Sequence, residues 1–161
     1  MSDKQKQCLE RLSTLIGRWK GEGKGTYPTI EPFEYGEEST FERHRNKPVF
    51  HFTQKTWNKY SAEYMHWESG FIIVKEDGSI EFSNSQGGGR TEVLLGSLRE
   101  EKDGGFVMNF QSKVLSNDDK LVKTAREFVI DGDQLTYVVS MSTHTTPELQ
   151  KHLEATLKKV S

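Results

Sequence analysis

Four short groups of turn-forming residues divide the middle of the chain at close intervals: Asp77-Gly78, Asp103-Gly104-Gly105, Asn117-Asp118-Asp119 and Asp131-Gly132-Asp133. Each stands between two runs rich in β-branched or aromatic residues, which is the punctuation of successive antiparallel hairpins. The runs themselves alternate. Phe106, Met108, Phe110, Ser112 and Val114 fall on one face of a strand and Val107, Asn109, Gln111 and Lys113 on the other, so one side is expected to be buried and the other wetted. A later run sets Leu135, Tyr137, Val139, Met141 and Thr143 opposite Thr136, Val138, Ser140 and Ser142, and apolar groups on both faces suit a barrel wall that also touches another element. The pattern predicts strands over 16–25, 33–46, 48–58, 62–74, 78–85, 89–99, 104–114, 121–131 and 134–143. Nine short strands with brief connections read as an all-β closed meander.

The two ends of the chain read differently. Cys8, Leu9, Leu12, Leu15 and Ile16 recur at helical spacing, which predicts a short helix over 4–14 that plugs or braces one end of the barrel. At the other end Thr146-Pro147 looks like an N-cap and a first-turn proline, with Leu149, Leu153 and Leu157 following at four-residue spacing. Leu153, Ala155 and Leu157 also alternate with Glu154, Thr156 and Lys158, so a closing tenth strand fits equally well.

Composition narrows the function classes. With 161 residues, a single domain over 1–161 is expected. Nine Phe, five Tyr and three Trp beside 14 glycines suit a β domain with tight turns and argue against disorder or a coiled coil. The 22 Lys and Arg against 24 Asp and Glu leave a net charge of −2, so no basic field exists to draw nucleic acid or anionic lipid. Cys8 is the only cysteine, which excludes an internal disulfide and a cysteine-built zinc site and points to a reducing compartment. No apolar run has signal-peptide or membrane-span length, so a cytoplasmic location, with the nucleus as the other choice, is expected.

The most distinctive stretch is Gly17-Arg18-Trp19-Lys20-Gly21-Glu22-Gly23-Lys24-Gly25-Thr26-Tyr27-Pro28-Thr29. Gly17, Trp19, Gly21, Gly23 and Gly25 occupy every second position and so share one face of a strand, which sets them apart from the strand-to-helix glycines of a dinucleotide loop. A face stripped of side chains permits a sharp bend or a close approach, and physical reasoning alone assigns these glycines to bending the strand around a barrel corner. Gly17, Trp19, Gly21 and Gly23 with Tyr27-Pro28 nevertheless resemble the opening signature of the nitrobindins, a haem-binding β-barrel family that also forms the C-terminal domain of THAP-domain-containing proteins. Two further segments resemble that family: Met65-His66-Trp67-Glu68-Ser69-Gly70-Phe71 at mid-chain, and the run from Met141 to Ala155 that contains His144 and His152. The likeness extends from about residue 12 to 160.

The resemblance implies a ten-stranded antiparallel up-and-down barrel, similar to lipocalins and fatty-acid-binding proteins, with a short N-terminal helix and ferric b-type haem at one end. It implies His152 as the axial iron ligand, with His144 as the competing candidate. Read from the residues alone, His152 is an exposed histidine on a charged terminal segment between Lys151 and Glu154. Thr29 is placed by the resemblance beside the haem edge, its hydroxyl in reach of a propionate or a distal water, although a simple turn residue after proline matches it equally. Met65 and His66 fall where the family contributes haem-side groups, and alternation lets only one of them face inward. Met141 reads either as a porphyrin contact or as a core methionine. The implied function is binding of nitric oxide and isomerisation of peroxynitrite to nitrate. A homodimer is compatible with the family, but no residue specifies its interface. DNA binding by family members with a THAP finger does not carry over, since that finger needs three cysteines.

Other constellations point elsewhere or nowhere. Neighbours on a strand point oppositely, so neither Glu37-Glu38 nor Glu100-Glu101 can converge as acid and base, and both pairs are expected to be solvated. Gln86-Gly87-Gly88-Gly89-Arg90 lacks the Lys-Ser/Thr of a phosphate loop and reads as a connection at the barrel rim. Cys8 has no histidine near it in sequence and no nucleophile role. A lipocalin-like carrier of a small apolar ligand is the alternative function, with Arg126 and Tyr137 as the only suggestive carboxylate-holding pair. A partner-binding domain whose ligand site has decayed is the third reading.

Overall fold

Ten antiparallel strands close into a barrel in the computed structural model, which describes residues 1–161. Helix α1 (Asp3–Ser13) precedes β1 (Gly17–Tyr27), β2 (Ile30–Arg43), β3 (Val49–Asn58), β4 (Tyr64–Val74) and β5 (Ile80–Gln86). The second half is β6 (Thr91–Glu100), β7 (Phe106–Ser116), β8 (Leu121–Asp131), β9 (Gln134–Thr143) and β10 (Gln150–Lys159). Each strand pairs with the next and β10 returns to β1, so the turns at Asp77-Gly78, Asn117-Asp118-Asp119 and Asp131-Gly132-Asp133 are hairpin connections as their composition predicts. The meander is the tenfold one.

The C-terminal helix reading is overturned: 150–159 is a strand, and Thr146-Pro147 lies in the β9–β10 turn, where Thr146 N–H donates to the Thr143 carbonyl at 3.2 Å. Leu149, the first of the helical triplet, is exposed, whereas Ala155 and Leu157 point inward. Strand β10 hydrogen-bonds to β1 along one edge and β9 along the other, and two ladders of backbone pairing outweigh a local helical pattern.

The bare face of β1 is filled by its neighbours. Register sets Gly23 opposite Tyr35 and Gly25 opposite Phe33, and directly paired residues share a face. A Cβ on Gly25 would stand 2.2 Å from the Phe33 ring, one on Gly23 would stand 2.4 Å from Tyr35 Cζ, and one on Gly21 would stand 2.0 Å from the Thr156 carbonyl oxygen. The glycines are therefore places where aromatic rings of β2 and the backbone of β10 cross the first strand, in addition to any bend they allow.

One end of the barrel is plugged. Cys8, Leu9, Leu12 and Leu15 are buried with Trp19, Phe41, Phe50, Ile80 and Phe106 in one apolar cluster, each such side chain contributing about 1.5–3 kcal/mol on burial. The plug is tied down by hydrogen bonds: Gln5 Nε2 donates to the Val74 carbonyl at 2.8 Å, Trp19 Nε1 to the Leu15 carbonyl at 2.8 Å and Lys159 Nζ to the Thr14 carbonyl at 2.8 Å. Any site must open at the other end.

The expected solvation of both members of the Glu37-Glu38 pair holds only for Glu38, which faces out and pairs with Arg18 at 2.9 Å. Glu37 is buried, because the alternation that separates the two carboxylates sends it inward. There Tyr137 donates to Glu37 Oε1, Ser39 Oγ donates to Oε2 at 2.7 Å, and the Tyr35 and Tyr137 hydroxyls lie 2.6 Å apart. Burial pushes the Glu37 carboxyl above the ordinary carboxylate range and raises both phenols.

Two outcomes follow from this packing. Gly23→Ala should destabilise the barrel by about 1–3 kcal/mol through overpacking against Tyr35, whereas Gly88→Ala, where a Cβ would meet nothing within 4 Å, should stay within about 0.5 kcal/mol; urea unfolding of the two variants measures the contrast. Because the folded Glu37 carboxyl titrates above its unfolded value of about 4.3, its contribution is full below that value and is lost as pH rises. Wild type should therefore lose stability relative to Glu37→Gln as pH rises above the unfolded value, and parallel stability profiles for the two proteins would refute this role for the burial.

Candidate functional site

The end opposite α1 opens into a cavity of about 350 Å³, at the lower end of the range for small-molecule sites. Its walls carry His152 and Leu153 from β10, Val139 and Met141 from β9, Phe128 and Arg126 from β8, and Met65, His66 and Glu68 from β4. Strands β10 and β4 stand nearly across the barrel from one another, so the two histidines reach the cavity from facing walls.

His152 owes its position to a break in the ladder. Along the β9–β10 pair Lys151 matches Ser140 and Leu153 matches Val139, which leaves His152 as the extra residue of a β-bulge and turns its side chain out of strict alternation. Its Nδ1 lies 3.1 Å from the carbonyl oxygen of Thr26, which sits one residue beyond the last β1–β10 register pair, Gly25 with Leu153. A carbonyl only accepts, so Nδ1 carries the hydrogen and Nε2 keeps a free lone pair. The ring is held edge-on to Tyr27 at 5.6 Å and to Phe33 at 6.4 Å. Burial lowers the His152 pKa, outweighing the Thr26 hydrogen bond that works the other way, and so favours the neutral imidazole a metal requires. Tyr27 Oη also donates to the Met141 carbonyl at 3.2 Å, which ties the end of β1 to β9 beside the cavity.

A second bulge changes what alternation predicts for Met65 and His66. Thr56 pairs with His66 and Trp57 with Tyr64, so Met65 is the extra residue, and both Met65 and His66 line the cavity mouth. His66 Nε2 lies 3.3 Å from Glu68 Oε1.

Beneath them is a buried ionic cluster. Arg126 donates from Nη1 to Glu68 Oε2 at 2.6 Å, from Nη2 to Glu68 Oε1 at 3.0 Å, and from Nη2 to Glu92 Oε1 at 3.4 Å. Glu92 further accepts from Gln86 Nε2 at 2.6 Å and from Thr124 Oγ1 at 2.8 Å. Desolvation works to raise the Glu68 pKa, but Arg126 overcomes it and holds the carboxyl down at about 2. Arg126 Nε and Asn84 Nδ2 are buried without a hydrogen-bond partner. At the rim, Arg90 pairs with Asp118 at 2.7 Å and Asn117 Nδ2 donates to the Gly89 carbonyl at 3.1 Å, so the 86–90 loop is held against the β7–β8 turn.

The structure thus brings His66, Met141 and His152 to one cavity. Thr29 is not among them: it is exposed in the β1–β2 turn and is absent from the cavity lining. His144 is exposed in the β9–β10 turn, its backbone N–H donating to the Lys120 carbonyl at 3.1 Å. Cys8 is enclosed at the plugged end, where burial pushes its thiol up to about 11. Arg126 and Tyr137 both line the cavity, but the arginine is committed to Glu68 and Glu92 and the tyrosine to Glu37 and Tyr35. Sequence reasoning missed Glu68, Glu92 and Gln54 as lining groups. A signal existed, since Glu68 is in phase with the inward Gly70, Ile72 and Val74, and Arg126 with the inward Phe128 and Ile130.

The residues present fit a haem. One imidazole, held at Nδ1 by a backbone carbonyl, offers a free Nε2, and Met65, Met141, Val139 and Leu153 offer apolar contact from two walls.

Comparisons with known proteins agree. An Arabidopsis thaliana protein named peroxynitrite isomerase Rv2717c is 44% identical over 149 residues, covering 92% of this chain and 87% of the relative. Peroxynitrite isomerase 1 of Mycolicibacterium paratuberculosis is 40% identical over 153 residues, covering 92% of each. The crystal structure of Rv2717c from M. tuberculosis superposes with a TM-score of 0.87 at 32% identity, covering 96% of this chain and 98% of that one. An S-type phycobiliprotein lyase of Guillardia theta, at 11% identity and a TM-score of 0.60 over 100% of this chain and 94% of its own, shares the fold alone. Residues 8–159 match the model of the THAP4-like, heme-binding beta-barrel domain, and the chain belongs to that family.

Proposed function

We propose that this chain holds b-type haem in its ferric state through His152 and isomerises peroxynitrite to nitrate, with nitric oxide as a second ligand of the same iron. The observation that carries the reading is the placement of His152 on a bulge, its Nδ1–H spent on the Thr26 carbonyl and its Nε2 left with a lone pair at the cavity. The names of the relatives, peroxynitrite isomerases at 34–44% identity over nearly the whole chain, supply the reaction.

This chain's residues prepare the site in three ways. Thr26 sets the tautomer and orientation of His152, with Tyr27 and Phe33 restricting its ring. Met65, Met141, Val139 and Leu153 would give a flat ligand apolar contact. Opposite His152, His66 is oriented by the ionised Glu68, which Arg126 anchors in turn. When bound, haem would supply a Lewis-acidic iron, the chemistry that rearranging peroxynitrite calls on. The carrier reading loses its support with Arg126: a guanidinium already shared by two carboxylates does not take a third from a fatty acid.

Titration of the purified apo-protein with ferric haem, followed at the Soret band, is the test. Wild type should saturate at one haem per chain, and His152→Ala should lose at least tenfold in affinity and the spectrum of a histidine-ligated iron, while His144→Ala stays at the wild-type value. Equal binding by His152→Ala would overturn the assignment of the ligand, and no saturable binding by wild type would overturn the haem reading itself.

A further inference from the structure

We propose that the Glu68–Arg126–Glu92 cluster acts as a fixed negative charge under the cavity and biases a bound haem toward its ferric form; the inference rests on the haem reading above. The charges lining the cavity can be counted. Arg90 is neutralised by Asp118 at 2.7 Å, which leaves Arg126 between two carboxylates and the cluster one negative charge in excess. Glu92 accepts from Thr124, Gln86 and Arg126 and donates to nothing, the pattern of a carboxylate. All three side chains are at least nine-tenths enclosed, Glu68 and Glu92 at 1% and 2% exposure and Arg126 at 6%, so water and salt screen the excess charge weakly.

A buried charge of this kind discriminates between the two oxidation states. The core of a ferric porphyrin carries one positive charge more than that of a ferrous porphyrin, whose core is neutral. Negative charge held in a poorly screened interior therefore favours the ferric form, whatever the exposure of the porphyrin edge. His66 Nε2 stands 3.3 Å from Glu68, so the variants are compared at one fixed pH of 8. Packing alone accounts poorly for the cluster, since replacing a buried ionic group by apolar residues is often neutral or stabilising and Arg126 Nε remains unpaired.

The experiment uses haem-loaded protein at pH 8 and reads the midpoint potential by spectroelectrochemistry after the Soret titration has established loading; failure to load would defeat the haem reading and not this inference. Glu92→Gln, which removes the excess charge, should lower the ratio of ferric to ferrous haem affinity at least tenfold, a rise of 59 mV for one electron. Glu92→Asp, which keeps the carboxylate, should stay near the wild-type potential, whereas a purely structural role would move it as well. If Glu92→Gln does not fold by circular dichroism, Glu68→Gln makes the same change of charge. An unchanged potential in the folded Glu92→Gln variant, or a Glu92→Asp variant displaced as far as Glu92→Gln, would overturn the proposal.

Discussion

The pairing of the first strand with the last is the contact on which the rest of the molecule depends. A ten-stranded sheet left open would expose two edges of unpaired backbone, and the ladder from Trp19–Lys159 to Gly25–Leu153 removes both. Each end of that seam then has a task. At one end Trp19 and Lys159 donate to the Leu15 and Thr14 carbonyls and fasten the plug. At the other end the ladder stops at Gly25, so the carbonyl of Thr26 stands beside His152. The plug and the candidate ligand are thus set by one register, and a slip along β1–β10 would misplace them together. The glycines of β1 belong to the same device, because rings from β2 and the backbone of β10 must cross this strand for the wall to close tightly.

Inside, the barrel is divided by chemistry. The plugged half is apolar and aromatic, and its edge-to-face rings, Phe52 with Phe82 and Phe110 with Phe128, continue it toward the middle. The open half is polar, with Glu37 under two tyrosines and the Glu68–Arg126–Glu92 cluster beyond. Neither polar group is what a barrel needs in order to fold. Removing one partner of such a buried pair costs about 3–5 kcal/mol, while replacing the whole group by apolar residues often costs nothing. An interior arranged this way gives up stability for the properties of its cavity, which is where local rules are expected to yield to function.

Much of this was readable from residue order. Period-two alternation and Asp-Gly or Asn-Asp punctuation placed nine strands to within a few residues, because hairpin pairing is local and each run needed only its neighbour. The last strand was ambiguous for the opposite reason. Its partner β1 lies more than a hundred residues away, and Leu149, Leu153 and Leu157 recur as well at helical as at strand spacing. A carboxylate is usually outside, which favours a solvated Glu37, but its phase with the inward Tyr35 and Ser39 places it inside. Thr29 came from likeness to a family, and a likeness assigns a position in a motif without assigning the direction a turn faces.

The residues that matter most at the cavity are those for which alternation gave the wrong answer or none. His152 and Met65 are each the extra residue of a bulge, and neither inward nor outward phase describes them. A regular strand delivers every second side chain to the interior, which is enough to build a core but restricts where a ring can point. Inserting one residue re-aims a side chain and frees a nearby backbone group without disturbing the ladder on either side. In β10 both effects are used at once: His152 leaves the strict wall pattern, and its Nδ1 finds a carbonyl beyond the end of the neighbouring ladder. Register defects are invisible to a periodic reading because they are departures from the period, and in this barrel they mark the place where the wall becomes a site.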